Sequence, residues 1–361
     1  MHPLKILLHG YFGYGNLGDE AICKVLIDKL ATKGTEVIVL STDPKRTSKL
    51  HGVKSYHEKI ASFAFVKNLL TSRVLIFAGG GRYGLPTLRR MCIIALLAKL
   101  FAKKVVFQSV GIYPNPWFYT KINPKSLTTN LVSRMMLILA FGLSDRISVR
   151  DKFSEQVLRL TGIRKHVRIV EDLALQLKPS SLENASVILS EKYLPNPKKD
   201  NLLIGVNLRT LEPDINEKLN QVLPAVLDWI VDNFKATLIF IPFGLGSIGQ
   251  RFWDDDRTIG REIRQGMKHK ESFIIIEKEY KPEDVLGLFR LFDLFIGMRY
   301  HSIVFSEIMG VPHVAIVYDT KVEEFIGDRN NTESGIWLSD LDEGRLKEML
   351  EETLKLHKLV E

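Results

Sequence analysis

The chain has 361 residues, of which 45% are hydrophobic and 25% charged, with a formal net charge of +8 and a pI near 9.2. That length exceeds one small domain and suits two of ordinary size, and the composition is globular enough to bury two cores. The basic balance fits an anionic partner, whether nucleic acid, a phosphorylated substrate or an acidic membrane surface, and does not choose among them. The two cysteines, Cys23 and Cys92, sit in no metal or redox spacing, which excludes a disulfide-stapled secreted scaffold and fits a reducing compartment.

The opening residues, MHPLKILLH, have an apolar run too short for a signal peptide. Leu4–His9 predicts a strand, and Asp19–Lys33 a helix ended by Gly34. Glu36–Ser41 predicts a second strand and Arg73–Ala78 a third. Helix Met91–Phe101, strand Lys104–Val110, helix Leu127–Leu143, strand Arg146–Val149, helix Lys152–Thr161 and strand Val167–Val170 follow. Such alternation predicts a parallel sheet covered on both faces. No stretch reaches the ~20 apolar residues of a spanning helix. Met91–Ala102 and Met135–Leu143 are apolar but short, and are read as buried helix faces.

A polar, proline-containing stretch from Lys178 to Asp200 predicts an interdomain region around a short helix at Ala185–Lys192. The pattern then restarts. Strands are expected at Leu202–Leu208, Thr237–Ile241, Phe273–Ile276, Leu291–Ile296 and His313–Tyr318. Helices are expected at Ile215–Asn233, Arg257–Met267, Pro282–Phe289, Ser302–Met309 and Glu343–Lys358. The expected architecture is α/β, two Rossmann-like domains facing a cleft. Residues 1–178 form the first domain, 179–200 the interdomain region, 201–340 the second domain and 341–361 a closing helix.

In open α/β sheets ligands bind beyond the carboxyl ends of the strands. After the first strand comes the glycine loop Gly10–Gly18 with Asp19, and after the Arg73–Ala78 strand comes the triplet Gly79, Gly80, Gly81. Such loops let backbone N–H groups approach a ligand, and the following helix N-terminus favours an anion. The first loop has no Walker Gly-Lys-Ser/Thr and is not read as a dinucleotide fingerprint. Arg150 and Asp172 follow later strands of the first half. In the second half, Arg209, Gly297–Ser302 and Asp319–Lys321 end strands. Arg299 can grip a carboxylate or phosphate, His301 can exchange protons near neutral pH, and Lys321 with Arg150 would add cations. His9, His166 and His313 are read as structural or exposed. The run Asp254–Asp256 is read as a solvated loop, and no metal site is expected, since no paired His or Cys ligands support one. Scattered basic residues without interleaved aromatics argue against nucleic acid.

Gly10-Tyr-Phe-Gly-Tyr-Gly-Asn-Leu-Gly-Asp-Glu-Ala-Ile22, Gly79–Gly81, Ser148–Asp151 with Asp172, Ile204–Arg209, Gly297–Ser302 and Tyr318–Lys321 together resemble, in order, the motifs of the polysaccharide pyruvyl transferases. Arg82 and Tyr83 after the triplet, and Asp172-Leu-Ala174 in place of Asp-Pro-Ala, depart from the family pattern and bear on the acceptor. The resemblance implies a glycosyltransferase-B-like architecture. It implies phosphoenolpyruvate as donor substrate, with no cofactor, and a pyruvate ketal on a sugar as product. The nearest likeness within the family is to enzymes acting on N-acetylmannosamine in lipid-linked cell-wall polymers. The expected site has His301, Arg299, Lys321 and Arg150 in catalysis. Gly10, Tyr11, Phe12, Tyr14, Asn16, Asp19, Gly79, Gly80, Gly81, Asp172, Arg209 and Ser302 are expected to bind substrates. The expected location is cytoplasmic, with transient contact at the inner membrane face. A nucleotide-sugar glycosyltransferase and a non-catalytic glycan-binding relative are the alternative readings.

Overall fold

Stretches such as Ile6-Leu7-Leu8 and Val37–Leu40 are apolar at every position and buried throughout. Strands of this kind are stable only where both sheet faces are covered. The computed structural model, which describes residues 3–81, 84–113, 131–194, 201–246, 255–329 and 331–358, meets that requirement twice, in compact units spanning Met1–Leu177 and Lys178–Glu361.

In the first unit the order is β1 (Leu4–His9), α1 (Leu17–Leu30), β2 (Thr35–Ser41), α2 (Pro44–His51), β3 (Lys54–His57), α3 (Phe63–Thr71), β4 (Val74–Ala78), α4 (Leu85–Leu100), β5 (Lys104–Val110), α5 (Leu131–Gly142), β6 (Arg146–Val149), α6 (Lys152–Thr161) and β7 (Val167–Ile169). The seven strands are parallel in the spatial order β3-β2-β1-β4-β5-β6-β7. The connection direction reverses between β1 and β4, so the loops after these strands flank the switch point where α/β sheets open a crevice.

The second unit holds α7 (Leu182–Lys192), β8 (Leu203–Asn207), α8 (Pro213–Phe234), β9 (Thr237–Phe240), α9 (Arg257–Gly266), β10 (Phe273–Ile275), α10 (Pro282–Leu288), β11 (Leu294–Gly297), α11 (Tyr300–Met309), β12 (His313–Val317), α12 (Thr320–Gly327), β13 (Gly335–Trp337) and α13 (Glu343–Lys358). Its six parallel strands run β10-β9-β8-β11-β12-β13, with the switch between β8 and β11. Two α/β units of this kind are the Rossmann-like pair expected.

Four expectations change. The Arg73–Ala78 strand is fourth, because α2, β3 and α3 intervene; α2 and β3 are polar and carry no apolar period. The expected interdomain stretch, where described, packs on the second unit. There the Ser180 N–H donates to Glu283 O at 2.8 Å and Asn184 Nδ2 to Asp284 Oδ1 at 2.7 Å. Residues 195–200, like Arg82 and Tyr83, lie outside the described residues. Lys321 belongs to α12, which Asp319 caps through the Lys321 N–H. Finally, α4 and α5 are not simply buried faces: Ile93, Leu96 and Leu100, with Met135, Ile138 and Leu139, are exposed. Among the described residues no helix is long and apolar enough to cross a membrane.

Candidate functional site

In the first unit β1 delivers the loop Gly10–Asn16 to the switch point. Asn16 caps α1 by accepting from the Gly18 N–H at 3.1 Å. The first turn of α1 buries two carboxylates, Asp19 and Glu20. Glu20 Oε1 takes the Gly13 N–H at 2.7 Å, and its Oε2 meets His51 Nε2 at 2.7 Å. Asp19 Oδ1 takes the Gly80 N–H at 3.0 Å. Gly79 and Gly80 hold φ of +69° and +71°, and a Cβ on Gly79 would stand 3.0 Å from Asp19 Oδ1, so what approaches them is the chain's own carboxylate. The Gly13 and Gly80 N–H groups thus serve the chain's own buried acids, whose charge works against an anion beside them. Gly13, Gly15 and Gly18 stand at G-x-G-x-x-G spacing, although the loop is not read as a dinucleotide fingerprint. The pyrophosphate of a dinucleotide would have to displace Glu20 from Gly13.

Glu20, Cys23 and His51 bring ligand atoms within 4.8 Å of one another. Burial, followed by the charges of Glu20 and Asp19, pushes the Cys23 thiol well up. The sulfur keeps its proton, and both Glu20 oxygens are engaged, so the trio reads as a hydrogen-bonded brace between α1 and α2 rather than a metal cage.

Tyr11 and Tyr14 stack at 3.9 Å with 4° between their planes, and Tyr11 is exposed. The Tyr14 hydroxyl donates to Glu58 Oε1 at 2.8 Å. Glu58, buried just past β3, also meets Arg90 and lies 3.5 Å from His9 Nε2. Burial lowers the His9 pKa, only partly opposed by Glu58. Phe12 was expected to face the sugar, but it is fully buried and its backbone carbonyl accepts from the Thr42 N–H. It is core, and the exposed aromatic face belongs to Tyr11. Glu58 is the residue sequence reasoning missed; it follows a strand whose polar residues gave no signal.

Arg150 lies wholly in the first unit. Its Nη1 donates to Asp172 Oδ2 at 2.9 Å, and its Nε lies 3.4 Å from Asp151 Oδ2, which also accepts from the Tyr113 hydroxyl at 2.7 Å. Gly81 and Gly111 leave room for the guanidinium. With its charge matched by two buried carboxylates, Arg150 ties the ends of β5, β6 and β7 together. Asp172 divides itself between Arg150 and the Ala174 N–H.

The second unit collects cations at its switch point. Asn207, at the end of β8, is fully buried; its Oδ1 accepts from the Arg299 N–H at 3.1 Å and its Nδ2 donates to Ile241 O at 2.9 Å. It thereby joins the ends of β8, β9 and β11. Arg299 forms a two-point ion pair with Asp256, Nε to Oδ2 at 2.7 Å and Nη2 to Oδ1 at 2.6 Å. Asp256, fully buried, also accepts from the Phe243 and Gly244 N–H groups at 3.0 and 2.8 Å. The expected solvated run thus fails at Asp256, which is the anchor of Arg299, while Asp255 pairs with Arg257; Asp254 lies outside the described residues.

Arg209 Nη1 donates to the Tyr318 hydroxyl at 2.9 Å. Burial would lower the Arg209 pKa, but Tyr318, Asp256 and Asp319 outweigh it and the net shift is upward, so the group is a permanent cation. Lys321 Nζ stands 3.6 Å from Asp319 Oδ2. Arg299 occupies the N-cap position of α11 without offering a side-chain acceptor, and Ser302 is buried with its hydroxyl donating to Arg299 O at 2.7 Å. His301 sits in the first turn of α11, partly exposed, with its ring edge-on to Tyr300 at 4.9 Å. Three cations thus surround two carboxylates, Asp256 and Asp319, beside the starts of α11 and α12. The excess positive charge and helix N-termini suit a small multiply charged anion.

The family model of polysaccharide pyruvyl transferases matches residues 16–320. No curated protein sequence matches the chain. Among solved structures, UDP-GlcNAc 2-epimerase of Methanocaldococcus jannaschii, in complex with UDP-GlcNAc and UDP, superposes with a TM-score of 0.60 at 13% identity, covering 97% of this chain and 93% of its own. The E. coli ADP-heptose lps heptosyltransferase II gives a TM-score of 0.54 at 12% identity, over 98% and 100%. S. aureus MnaA with UDP gives 0.58 at 10% identity, over 97% and 87%. At such identities the likeness is one of fold, the glycosyltransferase-B type with two Rossmann-like domains.

Proposed function

Because the chain belongs to the polysaccharide pyruvyl transferase family, we propose that it moves pyruvate from phosphoenolpyruvate to a sugar of a cell-surface polysaccharide or its lipid-linked precursor, closing a pyruvate ketal. The observation that carries the donor assignment is the cluster of Arg209, Arg299 and Lys321 at the switch point of the second sheet. Phosphoenolpyruvate carries a carboxylate and a phosphate, and three cations against two carboxylates leave the excess charge to meet them. Asp256 engages Nε and Nη2 of Arg299 and so fixes the plane in which Nη1 is presented.

In the reaction the methylene carbon of phosphoenolpyruvate gains a proton, making an oxocarbenium-like centre at C2. One sugar hydroxyl adds to C2 and loses its proton. The C2–O bond to phosphate breaks, the phosphate departs, and a second hydroxyl adds and loses its proton. One proton is taken up and two are released, one of which leaves on hydrogen phosphate. His301 is the general acid and base, and the cations with the α11 N-terminus stabilise the charge gathering on phosphate. The stacked Tyr11–Tyr14 pair in the first unit, beside buried acids that disfavour anions, suits a neutral sugar face.

Uridine diphosphate is the competing ligand, because solved neighbours of the same fold hold it. Thermal-shift titrations separate the two. Phosphoenolpyruvate should raise the melting temperature of the wild type by mass action, and Lys321→Ala should lose that rise. Stabilisation by uridine diphosphate, with none by phosphoenolpyruvate in the presence of acceptor sugar, would replace the donor.

A further inference from the structure

From Lys59 to Ser144 the chain contains no aspartate or glutamate and twelve lysines and arginines. With 42 acidic residues in 361, a run of this length would ordinarily hold about ten. Those twelve positive charges against the whole chain's +8 leave the remainder at −4.

The helices described within this run, α3, α4 and α5, lie on one face of the first sheet. The steps from β3 to β4, β5 and β6 all go in the same direction, and right-handed crossovers place their helices together. Phe65 and Leu69 of α3, Met91 and Ile94 of α4, and Leu137 and Phe141 of α5 accordingly share one core cluster. The outward sides of the same helices are also apolar. Phe63 is 82% exposed, Leu100 73%, Leu131 67%, Met135 60%, Leu96 53% and Leu70 44%. A helix of a water-soluble layer presents polar residues there, and a contiguous apolar patch marks an interaction surface. Lys67, Arg89 and Arg134 are exposed on these helices, which themselves carry no carboxylate.

We propose that the outer face of α3, α4 and α5 docks on a bilayer with anionic headgroups. Its apolar side chains enter the boundary between headgroups and acyl chains, and its lysines and arginines meet lipid phosphates. The charge distribution selects this occupant. A symmetric contact with a second copy would set the same cations against each other, with no acid on these helices to pair them. The assignment does not rest on the donor reading, since docking needs no phosphoenolpyruvate.

Co-sedimentation of the full chain with vesicles tests it. Vesicles of equal parts phosphatidylglycerol and phosphatidylcholine should bind the wild type at low salt. Phosphatidylcholine alone, or molar salt, should weaken binding at least about tenfold. The triple variant Leu96→Glu, Leu100→Glu, Met135→Glu and the double variant Lys67→Glu, Arg89→Glu should each bind at least about tenfold more weakly while melting like the wild type, because every altered side chain is exposed. Wild type that ignores phosphatidylglycerol vesicles, or folded variants that bind them equally well, would overturn the proposal. A dimer in gel filtration that the triple variant dissociates would assign the face to a second copy instead.

Discussion

Replacing Asp256 with alanine should cost the second unit about 3–5 kcal/mol of stability, the usual loss when one partner of a buried ion pair is removed. Asp256 is fully buried and accepts four hydrogen bonds, two from the Arg299 guanidinium and two from the Phe243 and Gly244 N–H groups. Its removal strands a charge and two backbone donors in one place. Asp256→Asn keeps the shape but loses the charge and turns one acceptor into a donor facing the guanidinium, so it too should destabilise, by less. Denaturant titration followed by circular dichroism measures both, and a loss below about 1 kcal/mol in the alanine variant would refute the pairing. The same reasoning governs Arg299→Ala. That change leaves the Asp256 carboxylate buried with only its backbone partners, so it perturbs folding as well as binding. Lys321, whose Nζ stands 3.6 Å from Asp319 Oδ2 and not in a two-point pair like that of Arg299, is therefore the cleaner probe of donor affinity.

His301→Ala should lower turnover by about 10²–10⁴-fold, the range for loss of a positioned acid or base. His301 sits in the first turn of α11, which begins at the switch point, and is only partly exposed. The side chain carries no core packing comparable to that of Ile303 or Phe305, both fully buried on the same helix. Melting temperature should therefore stay close to the wild-type value, and stabilisation by phosphoenolpyruvate should persist, since Arg209, Arg299 and Lys321 remain. A split of this kind, kcat lost with donor binding kept, identifies an interaction made in the transition state. Turnover within about threefold of the wild type would remove His301 from the chemistry.

Much of the fold is legible from apolar pattern because both sheets are buried on both faces. β1, β2, β4 and β5 read as nearly continuous hydrophobic runs, and β8, β9, β11 and β12 do so again. The elements that escaped are those without that pattern. α2, PKRTSKLH, buries only Thr47 and the side chain of His51, and β3, KSYH, is an edge strand with no fully buried residue. Their signals are chemical rather than periodic: Asp43 before Pro44 as an N-cap and first helical position, and Gly52 in the left-handed conformation as a stop. The three-residue β13 is too short for any periodicity.

The site divides along a similar line. Arg209, Arg299, His301 and Lys321 stand out because they follow apolar runs, where a carboxyl-end rule can find them. Their partners do not. Asp256 reaches Arg299 across 43 positions of sequence, and in sequence it looks like part of a solvated acidic run. Phe12 and Tyr11 are neighbours in one aromatic loop, yet the chain turns one into the core and the other outward. Arg150 reads as an open cation until Asp172 and Asp151 are seen around it. In each case a charge or ring is visible in sequence, while its pairing depends on distant elements meeting at the sheet edge.

The most direct test of pyruvyl transfer is to follow phosphoenolpyruvate isotopically labelled at C2, incubated with the protein and lipid-linked acceptors that include N-acetylmannosamine, by carbon NMR. The account predicts that the label moves to a quaternary ketal carbon on the sugar while one equivalent of inorganic phosphate is released. Phosphoenolpyruvate that stays intact with every acceptor, while a nucleotide sugar is consumed in its place, would contradict it.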